Sequence, residues 1–582
     1  MRPMGLKNNA QPRFDTAHRR KPIYFAMIAL LAAIAFFLSL GSTDIVTSHE
    51  ARVAQTARLM AATGWPWQNA GVDVPAIEFY RDPDGRKYFR HTSGQPPIHV
   101  NPWLIPVAAG EVRLQKPPLP YWLAAIFYRW FHFDEFYSRL PSALMGFAAT
   151  FLMMDLARRL ISNKAALWAG LIWISTLFVI DSYRKTMADP GLAFFTLLCF
   201  WSWVRFAREG SLWLLLIFYL SLAMGTFAKG PVIYLHLFAA ITMFSYCYRQ
   251  WPRGGRQWIW HTLGIALVLI IFLPWPLHVM HHVPHALELW RYESVGEFLD
   301  NIEDARPWWF YLPNIFLIPA PWTLIALIGA ADVIKRTVKR RSPGCTSGVP
   351  AYRKGLFPLL WIALTVFIFS FSNLKKNMYL LPMMPALVLL CVQGIFTLSG
   401  YLRVRRLRGI AITIQIGMAV AAMAIACIGI RSIPSLLIVV PAVALGIFAV
   451  VSAWHRDIDR WLIFQSAAGA LAVTAFLVYH MGERDNLRSA RPLADAAMPL
   501  LNAPDIAFHN IPIEVSVYLP LDLPVRANAP RQLIFTRTLR EGPDAYQNQT
   551  PDQRVVKSEP LHFANIPRVN PWKVVILTVE PN

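Results

Sequence analysis

Charge is scarce in this chain: only 15% of its 582 residues are charged, while 55% are hydrophobic. Soluble globular domains carry about 25% charged residues, so a soluble protein is excluded. Acid is scarcer than base, 34 Asp and Glu against 56 Lys and Arg, which leaves a net charge of +22. An excess of base can signal a nucleic-acid partner, but here the basic residues sit in short clusters between apolar runs. These are "RRLISNK" (158–164), "YRQWPRGGRQ" (248–257), "KRTVKRR" (335–341) and "RVRRLR" (403–408). Such spacing is that of cytoplasmic loops between membrane spans, and it argues against nucleic acid. Cysteine is scarce too. Cys199, Cys247, Cys391 and Cys427 fall in apolar runs and Cys345 in a basic loop, so no pair is available outside the membrane for a disulfide. Internal repeats and low-complexity tracts are absent.

What is abundant is apolar sequence in lengths that cross a bilayer, roughly 17 to 25 residues each. About thirteen runs qualify: 23–40, 140–157, 165–182, 189–205, 211–227, 231–247, 260–280, 311–331, 356–372, 378–398, 409–430, 433–453 and 461–480. The first follows Arg19, Arg20 and Lys21 and lacks a small-residue cleavage site, so it reads as a retained anchor. With the basic clusters in the cytoplasm, the N-terminus (1–22) lies inside and, the count being odd, the C-terminus outside. The alternation closes only if "KPPLPYWLAAIFYRWF" (116–131) does not cross; its short apolar part predicts a helix lying at the outer interface. The expected fold class is an α-helical polytopic membrane protein with a transmembrane domain over 23–480 and a small C-terminal α/β domain.

Three non-spanning regions remain. An outer loop at 41–139 opens with the helical "SHEARVAQTARLMAAT" and continues through the turn-rich "YRDPDGRKYFRHTSGQPP", which predicts a hairpin. A second outer loop covers 281–310. The tail, 484–582, is richer in charge and proline, and "IPIEVSVYL", "RQLIFT" and "KVVILTV" predict strands in an extracytoplasmic domain.

This topology collects a non-random set of polar residues at the outer face. Asp44, His49, Glu50 and Arg52 follow the first span, Lys116 precedes the interfacial helix, Asp189 opens the fourth span, and Lys229 lies between the fifth and sixth. Glu293 lies in the second outer loop, and Lys375, Lys376 and Tyr379 open the tenth span. Carboxylates offer bases or metal ligands, and lysines and a tyrosine offer donors to a phosphate. A lipid-linked phosphosugar would suit them. Each residue also has a plainer role. Asp189 before Pro190 fits a helix N-cap, Lys229 fits a snorkelling lysine, and Glu50 with Arg52 fits a solvated helix face. His281 and His282 are adjacent and cannot share one helix face, so with His285 they read as interface residues rather than a metal cluster.

At these residues the chain resembles a known family. "HEARVAQTARLMAATGWPW", "KPPLPYWL", "SRLPSA", "MADPGLAFF", "AKGP", "RPWWFYLPNI" and "SNLKKNMYLLPMMPAL" follow, in order, the pattern of the bacterial aminoarabinose transferases and of the protein O-mannosyltransferases (glycosyltransferase family 39) over about residues 20–400. The resemblance implies the GT-C fold, an active site at the outer face, and a sugar donor carried on a polyprenyl phosphate such as undecaprenyl phosphate. It places the family's acidic pair at His49 and Glu50, with histidine replacing the leading aspartate, so that Glu50 or Asp44 stands in as base. Lys116 keeps the lysine of the "KPP" signature, but Gln115 replaces the usual glutamate. Asp189 matches the aspartate at the mouth of the fourth span and Lys229 the lysine before the sixth; Tyr379 and Lys375 match the carrier-phosphate contacts. Glu293 takes the slot of a histidine. With Gln115 and Glu293 in the two ligand slots, the divalent ion known in the family is not assumed here. The loop between "GWPW" and "KPPL" is longer than in the arabinose enzymes, which suits a different acceptor.

The expected function is therefore transfer of a sugar from a polyprenyl-phosphate donor to a lipid, glycan or protein acceptor at the outer face of the cytoplasmic membrane. Either Glu50 or Asp189 would serve as base. Two other readings are a transporter or flippase for a lipid-linked sugar and a non-catalytic membrane scaffold. Transporters favour midplane sites between repeated halves, and neither repeats nor mid-span charges are evident.

Overall fold

The structure is a computed structural model that describes residues 21–68, 71–75, 77–81, 87–91, 96–250, 255–291, 306–339, 351–502, 506–508, 511, 513–521, 531–536, 553–561 and 573–581. The chain is a helical membrane protein whose apolar runs all fall on helices. The anchor is α1 (Lys21–Phe37), and the first loop carries α2 (Ser48–Ala62) and α3 (Leu119–Trp130). The bundle then runs through α4 (Glu135–Leu160), α5 (Asn163–Trp173), α6 (Leu177–Tyr183), α7 (Ala188–Glu209), α8 (Leu212–Lys229) and α9 (Val232–Tyr248). It continues with α10 (Gly255–Phe272), α11 (Pro274–His282), α12 (Ala286–Arg291), α13 (Tyr311–Leu317), α14 (Thr323–Lys339) and α15 (Ala351–Ser370). A 3-10 turn at Asn377–Met383 leads into α16 (Met384–Arg403), followed by α17 (Arg408–Ile428), α18 (Ile433–Trp454) and α19 (Ile458–Ala475).

Among the described residues nine helices are long and apolar enough to cross a bilayer, or ten if the pair α5 and α6, bent by 65°, counts as one span. Shorter apolar helices at Pro22–Phe37 and Val232–Tyr248 cover two more of the expected runs. The run at 311–331 is divided between α13 and α14. The bundle interior is one continuous apolar core, with Trp168, Trp173, Trp322, Trp361 and Trp461 fully buried. Small residues let helices approach where side chains would not fit, as is common between membrane helices. A Cβ on Gly394 of α16 would run into the Ile325 carbonyl, and one on Gly329 of α14 into the Leu390 carbonyl.

In the first loop β1 (Val72–Val74) pairs with β4 (Ile98–Val100), β2 (Ile77–Arg81) with β3 (Lys87–His91), and β5 (Val107–Ala108) with β6 (Glu111–Val112), all antiparallel. The β2–β3 pair is the hairpin expected from sequence. Beyond α19 the chain winds through a π-helical turn at Phe476–Met481 into α20 (Gly482–Arg488) and α21 (Arg491–Ala497). The tail then forms β7 (Ile506–Phe508), α22 (Ile513–Ser516), β8 (Arg531–Thr536), β9 (Gln553–Leu561) and β10 (Lys573–Pro581). The sheet order is β7-β8-β10-β9, parallel only at β7–β8. "RQLIFT" and "KVVILTV" are strands as expected, whereas "IPIEVSVYL" contains a helical turn. Val515, Val517 and Leu519 are all buried there against Ala490, Leu493 and α2, so burial overrides the alternating pattern.

Candidate active site

The site is built where α7 begins and α8 ends. Met187 is extended (φ −144°, ψ 167°), so Ala188 is the first helical residue and Asp189 the second. Asp189 is thus not the N-cap expected from sequence, but it still lies in the first turn, where the helix dipole favours an anion. At the other end, Lys229 closes α8 and Gly230 takes φ 70°, ψ −151°, a backbone that only glycine adopts readily. That kink returns the chain into α9 and holds Lys229 beside α7. Its Nζ lies 2.5 Å from Asp189 Oδ1, with side chains only 10% and 8% exposed. The same ammonium sits 4.7 Å from the ring centroid of Tyr379, on the 3-10 turn before α16. Three residues spread over 190 positions therefore meet at one point.

A second group comes from α2. Thr47 caps this helix by accepting from the Glu50 N–H at 3.3 Å, which sets His49 in its first turn. His49 Nε2 lies 3.5 Å from Lys376 Nζ, at the outer limit of hydrogen bonding. Burial, then the charges of Lys376 and Arg52, drive the His49 pKa down to about 4; Lys229 acts in the same direction and Asp189 opposes it. His49 is therefore neutral at pH 7, although cations surround it.

The other expected site residues have different surroundings. Glu50 is 3% exposed and accepts from Arg139 Nε at 3.2 Å and from the Thr186 N–H at 3.0 Å. Arg139 also donates to Leu40 O, Thr43 O, Thr43 Oγ1 and Asp44 O at 2.8–3.3 Å. The Glu50–Arg139 pair is a clip between α2, α4 and the preceding loop. Asp44 pairs with Arg491 Nε at 2.9 Å, and Arg491 also binds Glu135. Burial works against the Arg491 charge, but Glu135 and Asp44 outweigh it and hold its pKa above the usual value. Lys375 donates to Arg306 O at 2.9 Å and to Ser372 O, and burial lowers its pKa. Its neighbour Lys376 is the lysine that reaches His49.

Lys116 is half-buried on the segment next to the Lys229 turn, since a Cβ on Gly230 would find Pro117 Cγ at 3.9 Å. Gln115 accepts from Arg113 at 3.1 Å. A narrow apolar slot lined by Leu119, Pro141, Met145, Met187, Gly191 and Ala228 abuts the Asp189–Lys229 pair. Glu293 lies outside the described residues. Among the described residues no group of three His, Cys, Asp or Glu is arranged to hold a metal. His285 pairs with Glu288 at 3.1 Å, and the Asp189 carboxylate is already held by an ammonium, so the donors among the described residues form no ready divalent-ion site. Sequence reading gave no role to Arg139; its signal was a lone cation opening a long apolar helix.

A bundle of this form, with its polar cluster at one end, is the architecture of membrane-embedded GT-C proteins. Within that class the fold of this chain is similar to that of a solved ArnT. Its fold superimposes on the crystal structure of ArnT from Cupriavidus metallidurans bound to undecaprenyl phosphate with a TM-score of 0.67 and 16% identity, over 96% of this chain and 98% of that one. The family profile for dolichyl-phosphate-mannose-protein mannosyltransferase matches residues 115–278. The undecaprenyl phosphate-alpha-4-amino-4-deoxy-L-arabinose arabinosyl transferase of Pseudomonas savastanoi pv. phaseolicola is 28% identical over 336 residues, 56% of this chain and 59% of that protein. Its Edwardsiella ictaluri counterpart is 28% identical over 441 residues, covering 69% of this chain and 73% of that protein. The match to the Pseudomonas relative thus spans little more than half of that protein's length.

Proposed function

We propose that the chain transfers a sugar from a polyprenyl-phosphate donor, of the undecaprenyl-phosphate kind, to an acceptor hydroxyl. The observation that carries this reading is the convergence of Asp189, Lys229 and Tyr379, with His49 and Lys376 alongside. The acceptor oxygen attacks the anomeric carbon, and the bond from that carbon to the phosphate oxygen breaks with its electron pair left on the phosphate. Asp189 takes the acceptor proton. Lys229, Lys376 and Lys116, with the Tyr379 hydroxyl, face the departing phosphate; fixed cations stabilise such charge without solvent reorganisation. Neutral His49 orients the acceptor hydroxyl. Glu50, held by Arg139 and Thr186, keeps α2 in place rather than acting as base.

In this reading the site lies at the outer face of the cytoplasmic membrane, with the N-terminus inside, residues 23–480 forming the membrane domain and 484–582 an extracytoplasmic domain. Relatives named as aminoarabinosyl transferases support a sugar on undecaprenyl phosphate and make a lipid the first acceptor to test, ahead of glycan or protein. The experiment is sugar release from a radiolabelled polyprenyl-phosphate sugar in proteoliposomes. Release that Asp189→Asn abolishes is expected. Full turnover by that variant removes the assignment of Asp189, and a wild-type chain that never releases sugar removes the transferase reading in favour of transport or scaffolding.

A further inference from the structure

A large cavity lies at the opposite end of the bundle from Asp189. α4 opens beside Glu50 and reaches Leu160 about 39 Å later, taking 1.5 Å per residue over its 26 residues. α9 likewise leaves the Lys229 turn and ends at Tyr248. Around these far ends is a cavity of about 1300 Å³, counting its open mouth, walled by α4, α9, α14, α15 and α16. Two cations line it, Arg336 and Lys354, against one carboxylate, Asp332. Asp332 pairs with Arg336 at 2.7 Å within α14. Among the described residues no carboxylate pairs with Lys354, whose ammonium stands 5.9 Å from the Tyr248 ring. The lining also includes the apolar Phe357, Leu389 and Phe396.

Arg336 and Lys354 outnumber Asp332 among the charged lining residues, which favours an anion. Inorganic phosphate supplies the anion but has no need of the apolar wall. A lipid with a phosphodiester head and apolar chains meets both requirements.

We propose that this cavity is a binding site for an anionic phospholipid. Arg336 and Lys354 hold the phosphate, and the chains lie against Phe357, Leu389 and Phe396. Basic pockets between helices suit anionic heads, at about 1 kcal/mol per lysine or arginine. The site is remote from Asp189 and stands whether or not the sugar-transfer reading does.

The test is native mass spectrometry of the full chain released from nanodiscs containing phosphatidylglycerol or phosphatidylcholine. Phosphatidylglycerol should be retained about fivefold better, since Asp332 offsets one of the two basic side chains. Arg336→Gln with Lys354→Gln should remove that preference, while Lys335→Gln, on the exposed side of α14, should keep it. Millimolar inorganic phosphate should not displace the lipid. Equal retention of both lipids, an unchanged double variant, or displacement by free phosphate overturns the proposal. Should the double variant fail to fold, a photoreactive phosphatidylglycerol analogue on the wild-type chain decides: labelling must fall on residues 352–358 or 389–396, and labelling confined to other segments rejects the site.

Discussion

Replacing Lys229 by methionine should have one of the largest single effects in the molecule. The Asp189–Lys229 pair is buried, with both side chains at 10% exposure or less. Removing one partner of a buried pair leaves an uncompensated charge and costs about 3–5 kcal/mol, whereas replacing both by apolar groups of similar volume is often neutral or stabilising. Lys229→Met should therefore destabilise by about 3–5 kcal/mol, and Asp189→Leu in the Lys229→Met background should recover most of that loss. Turnover should behave differently. Both variants lose the carrier-phosphate cation, and removing one such electrostatic contact costs on the order of 10²–10³ in rate. The measurements are unfolding in mixed micelles followed by tryptophan fluorescence, and sugar release in proteoliposomes. If Lys229→Met unfolds like wild type, or if the double variant turns over like wild type, the pair is neither coupled nor part of the chemistry.

Other outcomes follow from the surrounding residues. The acid limb of activity belonging to His49 should fall near pH 4 rather than 6.5. Since Lys376 is one of the charges holding that pKa down, Lys376→Gln should move the limb upward, and a downward shift in the pH–rate profile would contradict the geometry. Because the folded-state pKa is depressed, stability from neutral His49 is present above pH 6.5 and lost as pH falls from 6.5 towards 4; unfolding midpoints measured across that window would show it. Arg139→Met should leave Glu50 buried and unpaired and cost about 3–5 kcal/mol, with Glu50→Gln in the same background restoring part of it in the unfolding assay. Gly394→Ala should cost about 1–3 kcal/mol through overpacking against Ile325, read as a lowered unfolding midpoint while the Asp189–Lys229 pair still forms.

The membrane helices were legible because the bilayer demands long uninterrupted apolar runs, and each run falls on one helix or on two successive ones. Breaks within runs were not, because the bend after Trp173 and the division at Leu317–Thr323 depend on packing rather than hydropathy. Asp189, Lys229 and Tyr379 were recognisable as a set by their positions at span ends, and the structure brings them within contact. Glu50 and Lys375 carry the right chemistry by type, yet Arg139 engages the first and backbone carbonyls the second, and neither partnership leaves a trace in local sequence. The Arg491 attachment to Asp44 and Glu135 joins positions more than 350 residues apart, a distance over which no local pattern operates.

The helix that carries His49 shares its core with the tail: Ala51 and Ala54 pack with Leu493, Val515, Leu533 and Ile576. Ribosomes add about 5–20 residues per second, so between emergence of Ala51 and arrival of Ile576 roughly half a minute to nearly two minutes elapse. During biosynthesis the two halves of that core are apart, and the helix that carries His49 gains its full packing only as the last of these strands is delivered.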